Sequence, residues 1–188
     1  MPKENIKQIR HVNTHKVKST DKIFLDANVW IYLLDNFDDD ASNTYSEFLK
    51  RILEKSASII INQEVISEVI NRYLHNEAKR LNIQDYKYFR KTDNYRQCFK
   101  VISAFFKELS PVLDFRTVEI TKGEFEDFLE INIKERMKPI LDYKDYIFDL
   151  FAQKNELILV THDKDFGAMQ HTKKVLSANK KIIDTKYF

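Results

Sequence analysis

Glycine and proline are scarce, at two and three of 188 residues. Two glycines cannot build the loops that close on phosphates, and no G-x-x-x-x-G-K-S/T run, dinucleotide fingerprint or G-x-S-x-G elbow occurs. Nucleotide-driven chemistry is disfavoured. Cysteine is limited to Cys98, which allows no intrachain disulfide, and the five histidines form no zinc-ligand spacing with it. No apolar run nears the roughly 20 residues of a membrane span, and MPKENIKQIRHVNTHKVKST at the start has no apolar core for a signal peptide. A soluble, cytoplasmic protein with no membrane partner is expected. An excess of one charge is missing too: 31 Lys and Arg face 29 Asp and Glu, a net +2.

What is present is the material of a folded core, with 43% hydrophobic residues, 14 Phe and 9 Tyr. A chain of this length buries roughly two thirds of its unfolded surface, so it needs no metal merely to fold. Any metal would serve chemistry. The near-neutral total also hides a division. Residues 72–107 hold nine Lys and Arg against three acids, whereas 117–149 hold five against nine. These are either two solvated helix faces or a basic flank beside an acidic, cation-holding cleft.

The apolar pattern alternates between strand and helix. Ile23, Phe24 and Leu25 predict a buried strand ending at Asp26, with a helix from Asn28 or Val29. Tyr45, Phe48, Leu49 and Ile52 recur at helical spacing within 38–55, SASIII (56–61) reads as a strand, and 63–79 as a helix. After a polar and aromatic link over 82–93, a long helix is expected at 94–109, a strand at TVEIT (117–121), and helices at 122–135 and 142–154 on either side of Lys138-Pro139. LILV (157–160) suits a central parallel strand, and a last strand is expected to include Ile182 and Ile183. Strands separated by long helices predict a three-layer α/β/α sandwich with a mostly parallel central sheet. Residues 1–22 read as a polar extension and 23–188 as one domain, with a helical elaboration near 80–115.

Parallel sheets place their sites at the carboxyl ends of the strands. Asp26 follows the first strand, and Asp163 and Asp165 follow strand 157–160. Glu68 lies in the helix after strand 56–61, while Asp145 and Asp149 are one turn apart on the helix feeding 157–160. Carboxylates gathered at one edge repel one another unless protons or cations neutralise them, and oxygen ligands suit Mg²⁺ or Mn²⁺. Such an ion can position water at a phosphodiester. Caps and surface charges are the plainer explanation for any one acid alone.

FLDANVWIYLL, INQEVISEVINRYL and DYIFDLFAQKNELILVTHDKDF resemble, in order and strand context, the three signature segments of the PIN-domain nucleases. The resemblance covers most of 23–166. It implies a divalent-cation site and catalytic acids at Asp26, Glu68, Asp145 and Asp163, with Asp149 as a lesser candidate and Asn28, Thr161 and Asp165 in support. Asp142 and Glu64 are secondary candidates. A nuclease must also hold a polyanion, for which Arg72, Lys79, Arg80, Lys87, Arg90, Lys91, Arg96 and Lys100 are available as RNA contacts. Tyr86, Tyr88, Phe89 and Tyr95 interleave with them as base-stacking or half-buried aromatics. His162 reads as a loop residue and Trp30 as packing. The expected activity is metal-dependent endoribonuclease action. The VapC-like branch of the family would add a role as toxin, a protein antitoxin and a homodimer. RNA processing, DNA-flap cleavage and a non-catalytic RNA-binding module are the alternatives.

Overall fold

The computed structural model describes residues 8–35, 39–134, 142–167, 172 and 174–183. Six strands form one sheet: β1 (Gln8–His11), β2 (Lys22–Leu25), β3 (Ser58–Ile61), β4 (Leu113–Phe115), β5 (Ile158–Val160) and β6 (Lys174–Ser177). Their order is β1-β6-β5-β2-β3-β4, and every pairing is parallel. Ile23, Phe24, Leu25, Ile59, Ile60, Ile61, Leu159 and Val160 are all buried, as strands covered on both faces require. Helices α1 (Ala27–Asp35), α2 (Asp40–Lys55), α3 (Gln63–Arg80), α4 (Tyr86–Phe89), α5 (Asp93–Leu109), α6 (Lys122–Lys134), α7 (Tyr143–Lys154) and α8 (Lys180–Ile183) supply the crossovers. The architecture is a three-layer α/β/α sandwich.

Local chemistry sets the helix ends. Asp39, Asn62, Thr92 and Asp142 cap α2, α3, α5 and α7 by accepting N–H bonds from the first turns. α7 packs on β2, where the Phe24 ring meets Phe148 at 5.6 Å and Phe151 at 5.2 Å. α1 packs Trp30 edge-on to Phe105 of α5 at 6.0 Å, and its indole N–H donates to the Leu25 carbonyl at 3.0 Å. Trp30 is fully buried, so it belongs to packing as expected.

Connectivity locates the functional edge. From β2 the chain moves outward to β3, and from β5 it moves the opposite way to β6. A crevice therefore opens at the carboxyl ends of the adjacent strands β2 and β5, where the winding reverses. Asp26 and the segment 161–163 emerge there.

Three sequence expectations need correction. The fourth strand is Leu113–Phe115, paired with Ile59–Ile61, and 117–121 has no regular structure. The alternation in TVEIT comes from Val118 and Ile120 packing on the core without a strand partner; the Arg116 N–H closes the ladder on the Ile61 carbonyl at 2.9 Å. Ile182 and Ile183 lie in the short helix α8, and the last strand is Lys174–Ser177. Finally, Gln8–His11 forms an edge strand against β6, although Ile9 is its only apolar residue. The link 82–93 contains α4. Asp38, Glu135 and Lys138-Pro139 lie outside the described residues.

Candidate active site

Asp26 leaves β2 with its N–H still bonded to the Val160 carbonyl at 2.9 Å, which fixes the residue to the sheet edge. The residue is only 5% exposed. Oδ1 accepts the Ala27 N–H at 2.6 Å, and Oδ2 accepts the Thr161 hydroxyl at 2.8 Å and the Asn28 amide at 2.6 Å. Thr161 and Asn28 also tie the two strand ends together. Thr161 Oγ1 accepts the Asp163 N–H at 3.0 Å, and Asn28 Oδ1 accepts the His162 N–H at 2.9 Å. Burial pushes the Asp26 carboxyl up to about 6 against the pull of the Thr161 hydroxyl, and the nearby charge of Glu68 adds to the rise.

α7 brings Asp145 to the same edge in its first turn. Burial, followed by the charges of Asp26, Asp163, Asp142 and Glu68, pushes its carboxyl up to about 7. A helix N-terminus favours an anion, so burial and repulsion outweigh that help. Glu68 projects from α3 and is held by two cations, Arg72 at 2.6 Å and Lys144 at 3.7 Å. Asp163 is half-buried, and its Oδ1 accepts the Asp165 N–H at 2.9 Å, opening the turn at Lys164–Gly167. Acids from four separate segments thus share one field.

Their donor chemistry fits a hard divalent cation: carboxylate oxygens whose mutual repulsion a positive ion would relieve. Among the described residues, however, no group of three or more acidic, histidine or cysteine side chains stands close enough to enclose one. Glu68 turns to its two cations and Asp163 to its own loop.

The other candidates divide. Asp149 is fully buried one turn beyond Asp145, and its Oδ1 accepts the Thr172 N–H at 2.8 Å. Asp165 is exposed, Asp142 caps α7, and Glu64 is exposed. Among the basic residues, Arg72 pairs with Glu68, while Arg80 pairs with Glu77 and, at 3.2 Å, with Asp35. Lys79, Lys87, Arg90, Lys91 and Lys100 are exposed, and Arg96 makes an exposed pair with Asp93. Phe89 is buried and Tyr86 stacks on His75 at 4.0 Å; Tyr95 is half-buried, leaving Tyr88, 61% exposed, as the most open of these four.

A neighbouring cluster escaped the sequence pattern. Tyr45 has the spacing of a core residue and is buried, yet its hydroxyl contacts His162 Nδ1 at 3.1 Å and accepts the Ala178 N–H at 3.1 Å. Tyr32 stands 4.8 Å from the His162 ring. Burial pulls the His162 imidazole below its ordinary value. The histidine is therefore a loop residue, as expected, but one that braces the loop carrying Asp163. Among the described residues no helix is long and apolar enough to cross a membrane.

Comparison with known proteins bears on this edge. No curated protein sequence matches the chain. VapBC2 from Rickettsia felis, solved bound to a DNA fragment from their promoter, superposes with a TM-score of 0.54 at 16% identity, covering 84% of this chain and 99% of that one. VapC20 of Mycobacterium tuberculosis, a sarcin-ricin loop cleaving toxin, superposes with a TM-score of 0.50 at 15% identity, over 80% and 97%. At such identities the likeness is one of fold. The family match is one of sequence: the PIN domain profile aligns with residues 23–171, a span that contains Asp26, Glu68, Asp145 and Asp163, and the chain belongs to the PIN domain family.

Proposed function

We propose that this protein is a divalent-cation-dependent endoribonuclease that acts as the toxin of a toxin–antitoxin pair. The observation that carries the nuclease reading is the shared field at Asp145, whose carboxyl is raised to about 7 by burial and by acids from three other chain segments. The fold likeness to VapBC2 and to the cleaving toxin VapC20 supports the toxin branch, with a protein antitoxin and a second copy of the chain as partners. The exposed basic residues of α4 and α5 support a polyanionic substrate.

Asp26, Glu68, Asp145 and Asp163 would hold Mg²⁺ or Mn²⁺, which when bound supplies a Lewis acid and an acidified water next to a phosphodiester. Thr161 and Asn28 keep Asp26 in one orientation, and Arg72 and Lys144 hold Glu68 at the rim. The Thr161 hydroxyl is engaged by Asp26. In this reading water attacks phosphorus directly and the scissile P–O bond breaks, the ribose oxygen leaving with a proton, so that no covalent enzyme intermediate forms.

Purified protein incubated with labelled RNA and DNA in Mg²⁺ or Mn²⁺ should cut RNA. Chelator should abolish cutting, and Asp26→Asn and Asp163→Asn should each lower the rate at least a hundredfold. Chelator-resistant cleavage, or full activity in both variants, would overturn the reading.

A further inference from the structure

Beside the acids opens a cavity of about 380 Å³ lined by Asn28, Ile31, Tyr32, Asp39, Arg72 and Asn76. It adjoins the acidic edge through two of these residues. Asn28 donates to Asp26 Oδ2 at 2.6 Å, and Arg72 pairs with Glu68 at 2.6 Å. Whatever enters the cavity therefore sits one short step from a group held at the acids.

The lining combines an apolar wall with a polar edge. Ile31 and Tyr32 form the wall, and the Tyr32 ring is braced by Tyr45 at 5.7 Å and His162 at 4.8 Å. Such a wall suits a flat, polarisable ring. The polar edge offers two acceptor oxygens and the donors of Arg72. Asp39 Oδ1 accepts the Ser42 N–H at 2.7 Å, and Oδ2 has no partner among the described residues. The Asn76 amide donates to Asp35 at 3.4 Å, and its Oδ1 likewise has no partner among the described residues. Arg72 is 53% exposed and has N–H groups beyond the one facing Glu68.

We propose that this cavity receives the base of the nucleotide next to the scissile phosphate in single-stranded RNA, and that it selects guanine. Two acceptors and a donor complement the guanine edge, which presents N1–H and N2–H₂ as donors and O6 as acceptor. Cytosine and uracil each present one donor group and two acceptors, and adenine lacks the second donor. A mismatched base would leave Asp39 facing another acceptor, and such unpaired edges are what give polar sites their discrimination. The inference rests on the nuclease reading, so its test has an arm that needs no cleavage.

The first arm measures equilibrium binding, with Ca²⁺ in place of Mg²⁺, of a short single-stranded RNA carrying one guanosine, against the same RNA carrying inosine or adenosine there. Inosine lacks only the N2 amine. Wild type should bind the guanosine RNA several-fold more tightly than either. Asp39→Asn keeps a residue that caps α2 well while replacing the carboxylate acceptor by an amide, and Asp39→Ser keeps a cap but is too short to reach the base. Both should remove the preference, and thermal melts should show both folded. The second arm sequences the products of a randomised RNA pool cut in Mn²⁺. Guanine should be enriched at one position flanking the cut, and Asp39→Asn should reduce that enrichment about tenfold. Indifference of wild type to guanosine against inosine and adenosine, or a preference unchanged in both Asp39 variants, would overturn the assignment. Guanosine-selective binding without cleavage would instead sink the nuclease reading and leave the pocket standing.

Discussion

Asp26 and Asp145 are held where their charges are unwelcome, and this has a thermodynamic consequence. A carboxyl whose folded pKa is raised contributes stability below its unfolded value and loses that contribution as pH rises through the folded value. For these two groups the loss falls between about pH 4 and 7, the upper limit being set by Asp145 at about 7 and Asp26 at about 6. The metal-free protein at pH 8 is therefore destabilised by its own site. Asp145→Asn removes one charge from that field, so in chelator it should melt a few degrees above wild type at pH 8. At pH 5, where wild-type Asp145 is protonated, the gap should close. Calorimetry of both proteins at both pH values checks this, and a gap independent of pH would show that repulsion is not its source. The same acids were legible in the sequence because each stands next to a strand end or in a helix leading to one. Tyr45 was not legible, since a buried tyrosine at helical spacing gives no sign of where its hydroxyl points.

At the level of elements, α1 and α3 are joined by a buried charge. The Asp35 side chain at the end of α1 is fully buried, and it meets Arg80 at the end of α3 at 3.2 Å. Burial raises the Asp35 carboxyl above its ordinary value, and Arg80 opposes that rise. Charge counting placed Arg80 on an RNA path; packing gives its guanidinium another task. Removing one partner of such a pair strands the other. Arg80→Ala should lower unfolding stability by about 2 kcal/mol, less than for a fully buried pair because Arg80 is 44% exposed. Asp35→Asn in the same chain should restore part of the loss, and urea denaturation of the two single variants and the double variant measures the coupling. Additive losses would show that the pair does not bind the helices. The sheet teaches a related lesson. The runs at 23–25, 59–61 and 157–160 were readable because strands buried on both faces are continuously apolar, whereas Gln8–His11 and Leu113–Phe115 sit at the two edges and read as polar or broken sequence. Pairing partners supply what composition does not.

Over the whole molecule, a net charge of +2 reconciles two opposed surfaces. An acidic edge repels RNA until cations neutralise it, so attraction has to come from elsewhere on the surface. α4, α5 and the turn between them carry exposed cations, with Lys87, Arg90, Lys91, Arg96 and Lys100 open to solvent. Arg96 pairs with Asp93, but the two side chains are 78% and 87% exposed, so water and salt compete for that contact and leave the guanidinium free to exchange it for a phosphate. Each phosphate contact on a single strand contributes roughly 0.7 to the slope of log affinity against log salt. Replacing Arg90, Lys91 and Arg96 together by Gln should therefore weaken RNA binding and flatten that slope by up to about 2, with cation affinity at the acids unchanged because none of the three touches them. Titrations of a short RNA at several salt concentrations read the slope directly. If wild type and triple variant share one slope, the polyanion follows another face, and the cations of α4, α5 and the turn between them serve only solubility.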